Sequence, residues 1–175
     1  MADTIVFRTE RLSICRIVAS DAEYMFSVYG DPVAARWVDD GRPITRSECL
    51  RWIEVTINNY AARGYGMFAV VKSEVVIGFC GIVHPGGQKE PEIKYSFLRG
   101  YWGNGYATEA VRGLIKYGKN THGIRYYVAT VAPENIASQR VLMKVDMRRG
   151  ELRLNKDGTY TQVFEWGNRP QNNLI

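Results

Sequence analysis

Apolar positions along the chain change period several times, and each change marks an element. "RLSICRIV", Arg11 to Val18, alternates in the period of a half-buried strand. Asp21 then stands as an N-cap for a short helix, "AEYMFSVYG", which ends at Gly30 with Pro32 beyond. "DPVAARWVDDGRP" follows neither period and reads as irregular. Thr45 or Ser47 opens a second helix, with Ile53, Ile57 and Tyr60 on one stripe, that stops by Gly64.

The period then becomes that of strands. "GMFAVVK", "EVVIGFCGIV" and "PEIKYSFL" are joined at "KSE" and "HPGGQKE", and both joints suit hairpins. After a glycine-rich loop, Ala107, Ala110, Val111, Leu114, Ile115 and Gly118 fall at helical spacing. Glu109 lies in the first turn and Lys116 and Lys119 in the last, as the helix dipole prefers. "THG" closes that helix, "RYYVATV" is a strand, and "PENIASQRVLMKV" is a short helix. "MRRGELRLNKDGTYTQVFEWG" reads as a hairpin around Asp157-Gly158. The order is β-α-α-β-β-β-α-β-α-β-β, an α/β (α+β) chain with a mixed sheet and flanking helices.

Composition narrows the function classes. A chain of 175 residues suits one sizeable core. Its longest apolar run, "VVIGFCGIV", is too short to cross a bilayer and reads as a buried strand, so no membrane partner is expected. The N-terminus shows no secretory pattern. Cys15, Cys49 and Cys80 are scattered, odd in number and without metal-ligand spacing. They read as reduced thiols of a cytoplasmic protein, and no metal site is expected. A net charge of +5 favours an anionic ligand or serves solubility alone. Neither a basic block nor an aromatic RNA-binding signature is present, so direct nucleic-acid binding is not expected. The pattern does not choose between monomer and homodimer.

The stretch "RGYWGNGYATEA", Arg99 to Ala110, places glycines at 100, 103 and 105 directly before a helix. A strand, a glycine loop and a helix N-terminus together make an anion site, because the first N–H groups lack internal partners and the dipole adds positive charge. It is not a Walker loop, which ends Gly-Lys-Ser/Thr, whereas Tyr106-Ala107-Thr108 follows Gly105 here. It is not a dinucleotide fingerprint either, because Thr108 stands where the third glycine belongs.

The loop resembles the acetyl-coenzyme A pyrophosphate loop of the GNAT acetyltransferases. The RimJ/RimL-like branch is the nearest, with "TERLSICRI", "DAEYMFSVYGDP", "RGYGMFAVV", "VIGFCGI" and "APENIASQRVLMKVDMRRGE" in matching order. The resemblance implies one N-acetyltransferase domain over residues 1–175 and the GNAT fold. That fold has a mixed, mostly antiparallel central sheet with splayed parallel strands and flanking helices. It implies acetyl-CoA as co-substrate, with no metal, and an amine acceptor, either a peptide N-terminus or a small molecule.

Residue by residue, it implies that backbone N–H groups of Trp102, Gly103, Asn104, Gly105, Tyr106 and Ala107 hold the pyrophosphate. Ser96, Phe97 and Leu98 would pair with the pantetheine arm, with an N–H near Phe97 polarising the thioester carbonyl. Many members have Gln or Arg where this chain has Gly100, and Arg99 is then the neighbouring source of charge. Asn135 would bond the pantetheine arm, or act only as an N-cap. Ser138 would face the coenzyme sulfur, or bond its own backbone. Leu142 stands where many members carry the tyrosine that protonates the thiolate, which leaves open a non-catalytic acyl-CoA-binding module. Trp37, Asp39 and Asp40 lie where the family's acceptor pocket forms. Arg140 and Lys144 would meet the ribose 3′-phosphate or form a solvated face.

Attack on a thioester needs a neutral amine and hence a base within reach. Glu92, which opens "PEIKYSFL", is the first choice for that base, with Glu90 beside it; the alternative is a strand-end carboxylate in solvent. His84 and His122 lie in loops and support no triad. Asp146 falls where the family often has glycine, and Asp tolerates the left-handed conformation such a turn needs.

Overall fold

A computed structural model describes residues 4–170. Among these residues eight strands form one sheet: β1 (Ile5–Arg8), β2 (Ser13–Arg16), β3 (Met67–Lys72), β4 (Val75–Val83), β5 (Glu92–Phe97), β6 (Tyr126–Val131), β7 (Arg148–Leu154) and β8 (Tyr160–Gly167). Their order in space is β1-β2-β3-β4-β5-β6-β8-β7. Every pairing is antiparallel except β5 with β6, which is parallel and bridges only at Glu92 and Val128. The mixed, mostly antiparallel sheet with splayed parallel strands is therefore as expected.

Among the described residues five α-helices flank the sheet: α1 (Ala22–Tyr29), α2 (Pro32–Ala35), α3 (Arg46–Arg63), α4 (Tyr106–His122) and α5 (Ile136–Lys144). On one face α4 and α5 cover Phe68, Ile82, Ile93, Tyr127 and Phe164. On the other, α1 and α3 cover Ile17, Ala69, Val76 and Phe79. Alternation along β5 thus sends Ile93, Tyr95 and Phe97 toward α4 and α5, and Glu92, Lys94 and Ser96 toward the α1 side.

Local chemistry explains most boundaries. Thr45 and Glu48 make a reciprocal capping box that starts α3, a motif worth about 1 kcal/mol. Gly64 ends it at φ +82°. Gly118 is required by close approach, because a Cβ there would lie 2.1 Å from the Tyr127 hydroxyl.

Four expectations need correction. A strand the pattern missed, β1, precedes β2 and pairs with it. The segment read as irregular contains α2, started by Asp31 accepting from the Val33 N–H and by Pro32 in the first turn. Asp21 does not cap α1 with its side chain; it accepts from Val18 N–H across a 3-10 turn. Ile57 is exposed, and Thr56 takes the buried place on α3, because 3.6-residue periodicity turns position 57 off the stripe. Asp146 does adopt φ +63°.

Candidate active site

The site is organised by where β5 and β6 part. The Leu98 N–H donates to Ile77 O of β4, and Val128 N–H donates to Pro91 O. Backbone groups alternate sides along a strand, so Ser96 and Leu98 face β4. Tyr95 and Phe97 face the gap where β6 has diverged. Of the predicted pantetheine-pairing segment, only Phe97 therefore presents its N–H to the gap. Its carbonyl is already taken by Trp102 Nε1 at 2.8 Å.

The loop after β5 is held from both sides. Gly103 and Gly105 have φ +75° and +79°, which only glycine adopts readily. Gly100 has no such strain, and a Cβ there would meet nothing within 4 Å. The Asn104 amide donates to Trp102 O at 2.9 Å, and Asn104 O accepts from Arg11 at 3.1 Å. Gly105 caps α4 with no side chain, which leaves the first-turn N–H groups of Tyr106, Ala107 and Thr108 without a capping partner.

Glu109 is more than a dipole partner. It accepts from Thr9 Oγ1 at 2.6 Å, from Arg11 N at 2.7 Å and from Arg11 Nε at 2.6 Å. Burial raises its pKa, but these bonds outweigh that and hold it below the usual carboxylate range. Arg11 also stacks over the Tyr106 ring at 4.5 Å. Arg99 pairs with Asp31 at 3.1 Å, so its guanidinium ties the loop to the start of α2.

On the α5 side of the gap, Asn135 accepts from Ser138 N–H at 3.1 Å as an N-cap, which occupies its Oδ1. Ser138 Oγ lies 2.7 Å from the Tyr95 hydroxyl. Tyr95 was not anticipated. Burial pushes its hydroxyl pKa up, which keeps it neutral and able to donate. Leu142 is buried in the core of that face. A tyrosine hydroxyl thus reaches this helix from β5 rather than from α5 itself.

On the opposite face, Glu92 is 3% exposed, not a solvated strand end. One carboxylate oxygen accepts from Thr130 Oγ1 at 2.5 Å and pairs with Lys94 Nζ at 3.2 Å; the other accepts from Gln88 Nε2 at 3.2 Å. Glu92 lines a cleft of about 180 Å³ with Glu90, Glu151, Glu165, Arg153 and Arg169 among its other walls. A second cleft of about 200 Å³ lies between Tyr29, Asp39, Asp40, Arg42, Glu48 and Trp52. Arg42 bridges Asp40 at 2.9 Å and Glu48 at 2.6 Å. Trp37 is not in its wall, and instead stacks under Arg36 at 4.4 Å. Both clefts carry more carboxylates than guanidinium groups.

The remaining candidates fall outside this arrangement. His84 bonds Tyr65 at 3.0 Å, and His122 bonds Tyr117 at 2.9 Å. Cys15, Cys49 and Cys80 are buried free thiols, and burial pushes the Cys80 thiol up to about 12. No sequence signal pointed to Tyr95, Thr130, Gln88 or the Arg11–Glu109 clamp, since each contact joins segments far apart or crosses a loop.

The sheet parts between parallel strands, and an uncapped helix starts at the end of the gap. The chain belongs to the GNAT acetyltransferase family: the family description "Acetyltransferase (GNAT) domain" matches residues 11–148. A relative from Bacillus licheniformis, an uncharacterized N-acetyltransferase p20, is 31% identical over 150 residues, 82% of this chain and 83% of its own length. A GNAT-family acetyltransferase from Bacillus anthracis superposes with TM-score 0.76 at 24% identity, over 91% of this chain and 95% of its own. RimL, a ribosomal L7/L12 α-N-protein acetyltransferase solved with coenzyme A, gives 0.80 at 16% identity, over 93% and 97%.

Proposed function

We propose that the chain moves the acetyl group of acetyl-CoA to a primary amine by direct transfer in a ternary complex. The acceptor is a protein α-amine or a small amine, and the chain stands in the RimJ/RimL-like branch and works in the reducing cytoplasm. The observation that carries this reading is the gap beyond the Glu92–Val128 bridge, edged by the free Phe97 N–H and closed by the uncapped start of α4.

Acetyl-CoA supplies an activated carbonyl and a thiol leaving group. Phe97 N–H donates to the developing oxyanion. The N–H groups of Tyr106 to Thr108 hold the pyrophosphate. Glu92 accepts the proton of the incoming amine. A reference α-amine pKa near ~8 asks less of that base than a lysine near ~10.4. Ser138, oriented by Tyr95, donates toward the sulfur.

The test is free-thiol release from acetyl-CoA across N-terminal peptides, lysine peptides, polyamines, amino acids and aminoglycosides. Release with one class establishes the reaction and its acceptor chemistry. Coenzyme binding without release on any amine would instead support a non-catalytic acyl-CoA-binding module.

A further inference from the structure

Lys94 is a primary amine that none of the roles above uses. It lies two residues along β5 from Glu92 and on the same sheet face, and its Nζ is 3.2 Å from Glu92 Oε1. That same oxygen is 2.5 Å from Thr130 Oγ1 on β6. The oxygen therefore links the two strands, and the ammonium lies within 3.2 Å of it. Its level along them is informative. Glu92 bridges Val128, and the next same-face residues are Lys94 and Thr130, which do not pair. Nζ is thus held at the Glu92–Val128 bridge, the last point at which the two strands pair before they part. The Lys94 side chain is 38% exposed, so no close packing fixes its stem.

We propose that Lys94 Nζ is an acetyl acceptor and that the chain acetylates itself there; this rests on the acetyl-transfer reading. The Lys94 ammonium passes one proton to the Glu92 carboxylate. The neutral nitrogen attacks the thioester carbonyl carbon, a C–N bond forms and the C–S bond breaks. The sulfur leaves as thiolate and takes up a proton, and the nitrogen's remaining surplus proton goes to solvent. The products are an N-acetyl-lysine and a free thiol. The amide carries no charge, so Glu92 loses its ammonium partner and keeps only Thr130 and Gln88.

The experiment incubates the full folded chain with acetyl-CoA and no added amine, then follows acetyl groups by peptide mass spectrometry. Exposed Lys89 and Lys156 serve as internal controls. Holding the amine at the gap should make Lys94 react about tenfold faster than either or more. Its rate should not change with chain concentration. Glu92→Gln should bring Lys94 down to the rate of the controls, and Lys94→Arg should abolish that label alone.

Equal labelling of all three lysines would overturn the proposal, as would a rate that rises with chain concentration or ignores Glu92→Gln. Acetyl transfer to added amines with Lys94 unmodified would also overturn it while leaving the proposed function intact, and would assign Lys94 as a counter-charge only. Absence of thiol release under every condition would remove both readings.

Discussion

On the proposed reading the glycine-loop half of the site takes the coenzyme and the Glu92 half the acceptor, and the two halves are made of different materials. The first is backbone. Its elements are the free N–H edge of β5 at Phe97, two left-handed glycines and an uncapped helix start. Side chains serve there mainly as external clamps, Arg11–Glu109 and Arg99–Asp31. The second half is side chain. Glu92, Lys94, Thr130 and Gln88 meet beside the Glu92–Val128 bridge from two strands and a loop, and carboxylates outnumber guanidinium groups both in the cleft that Glu92 lines and in the cleft between Tyr29 and Trp52. A backbone site recognises what every acyl-coenzyme A donor shares. A side-chain site selects one amine among many. The two halves should therefore respond separately to substitution.

The largest separation is expected from Glu92→Gln. It removes a base but leaves the loop intact, so amine turnover should fall by about 100-fold or more while coenzyme affinity holds. The deficit should be greatest at low pH, where little of the amine is already neutral. A pH–rate profile of the same shape as the parent would remove Glu92 as the base.

Gly105→Val attacks the other half. A β-branched residue at φ +79° costs roughly 1–2 kcal/mol, so donor binding should weaken by about tenfold. The acceptor KM should not move. A titration with coenzyme A against an acceptor titration reads both, and a change confined to the acceptor KM would erase the distinction between the halves.

The same contrast decides what the sequence could reveal. The spacing of Gly103 and Gly105 before a helical pattern is local, so the loop and the helix start of the coenzyme half were readable from residues alone. Strand periods likewise gave β2 to β8. The four-residue β1 lacks a pattern long enough to register, and α2 is a single turn set by its Asp31 cap rather than by periodicity. The acceptor half was readable only in part. Glu92 stood out by type and position, but it is buried, and its partner Thr130 is 38 residues away. Tyr95 meets Ser138 across 43 residues, and no local rule foretells such a pair. Asn135 showed both faces of the problem: its helix-start position was legible, and its side chain is used as the cap.

Tyr95 and Ser138 sit where the halves join, which gives a smaller and different expectation. Tyr95→Phe removes the hydroxyl's contacts to Ser138 Oγ and Ser138 O, so turnover should drop about fivefold with donor affinity kept. Ser138→Ala should cost at least as much, and adding Tyr95→Phe to it should cost little more, because the two hydroxyls act as one unit. Additive losses in the double variant would mean that Tyr95 acts independently of Ser138.

The smallest effect concerns stability with pH and again divides the halves. Hydrogen bonds from Arg42, then from Thr45, hold the Glu48 carboxyl down to about 2 in the wall of the cleft between Tyr29 and Trp52. An unfolded glutamate titrates near ~4.3. A depressed folded pKa stabilises only while the group is ionised, so this contribution is full above the unfolded value and is lost as pH falls toward 2. Glu48→Gln should therefore lower Tm at neutral pH and flatten its fall through that acid window. Glu109→Gln, in the coenzyme half, should flatten it less, because burial opposes the bonds that depress that group. Melting curves of the two variants between neutral pH and the acid limit provide the comparison. A steeper acid loss traced to Glu109 would place the pH-sensitive anchorage of the fold beside the glycine loop instead of at the Arg42–Glu48 cleft.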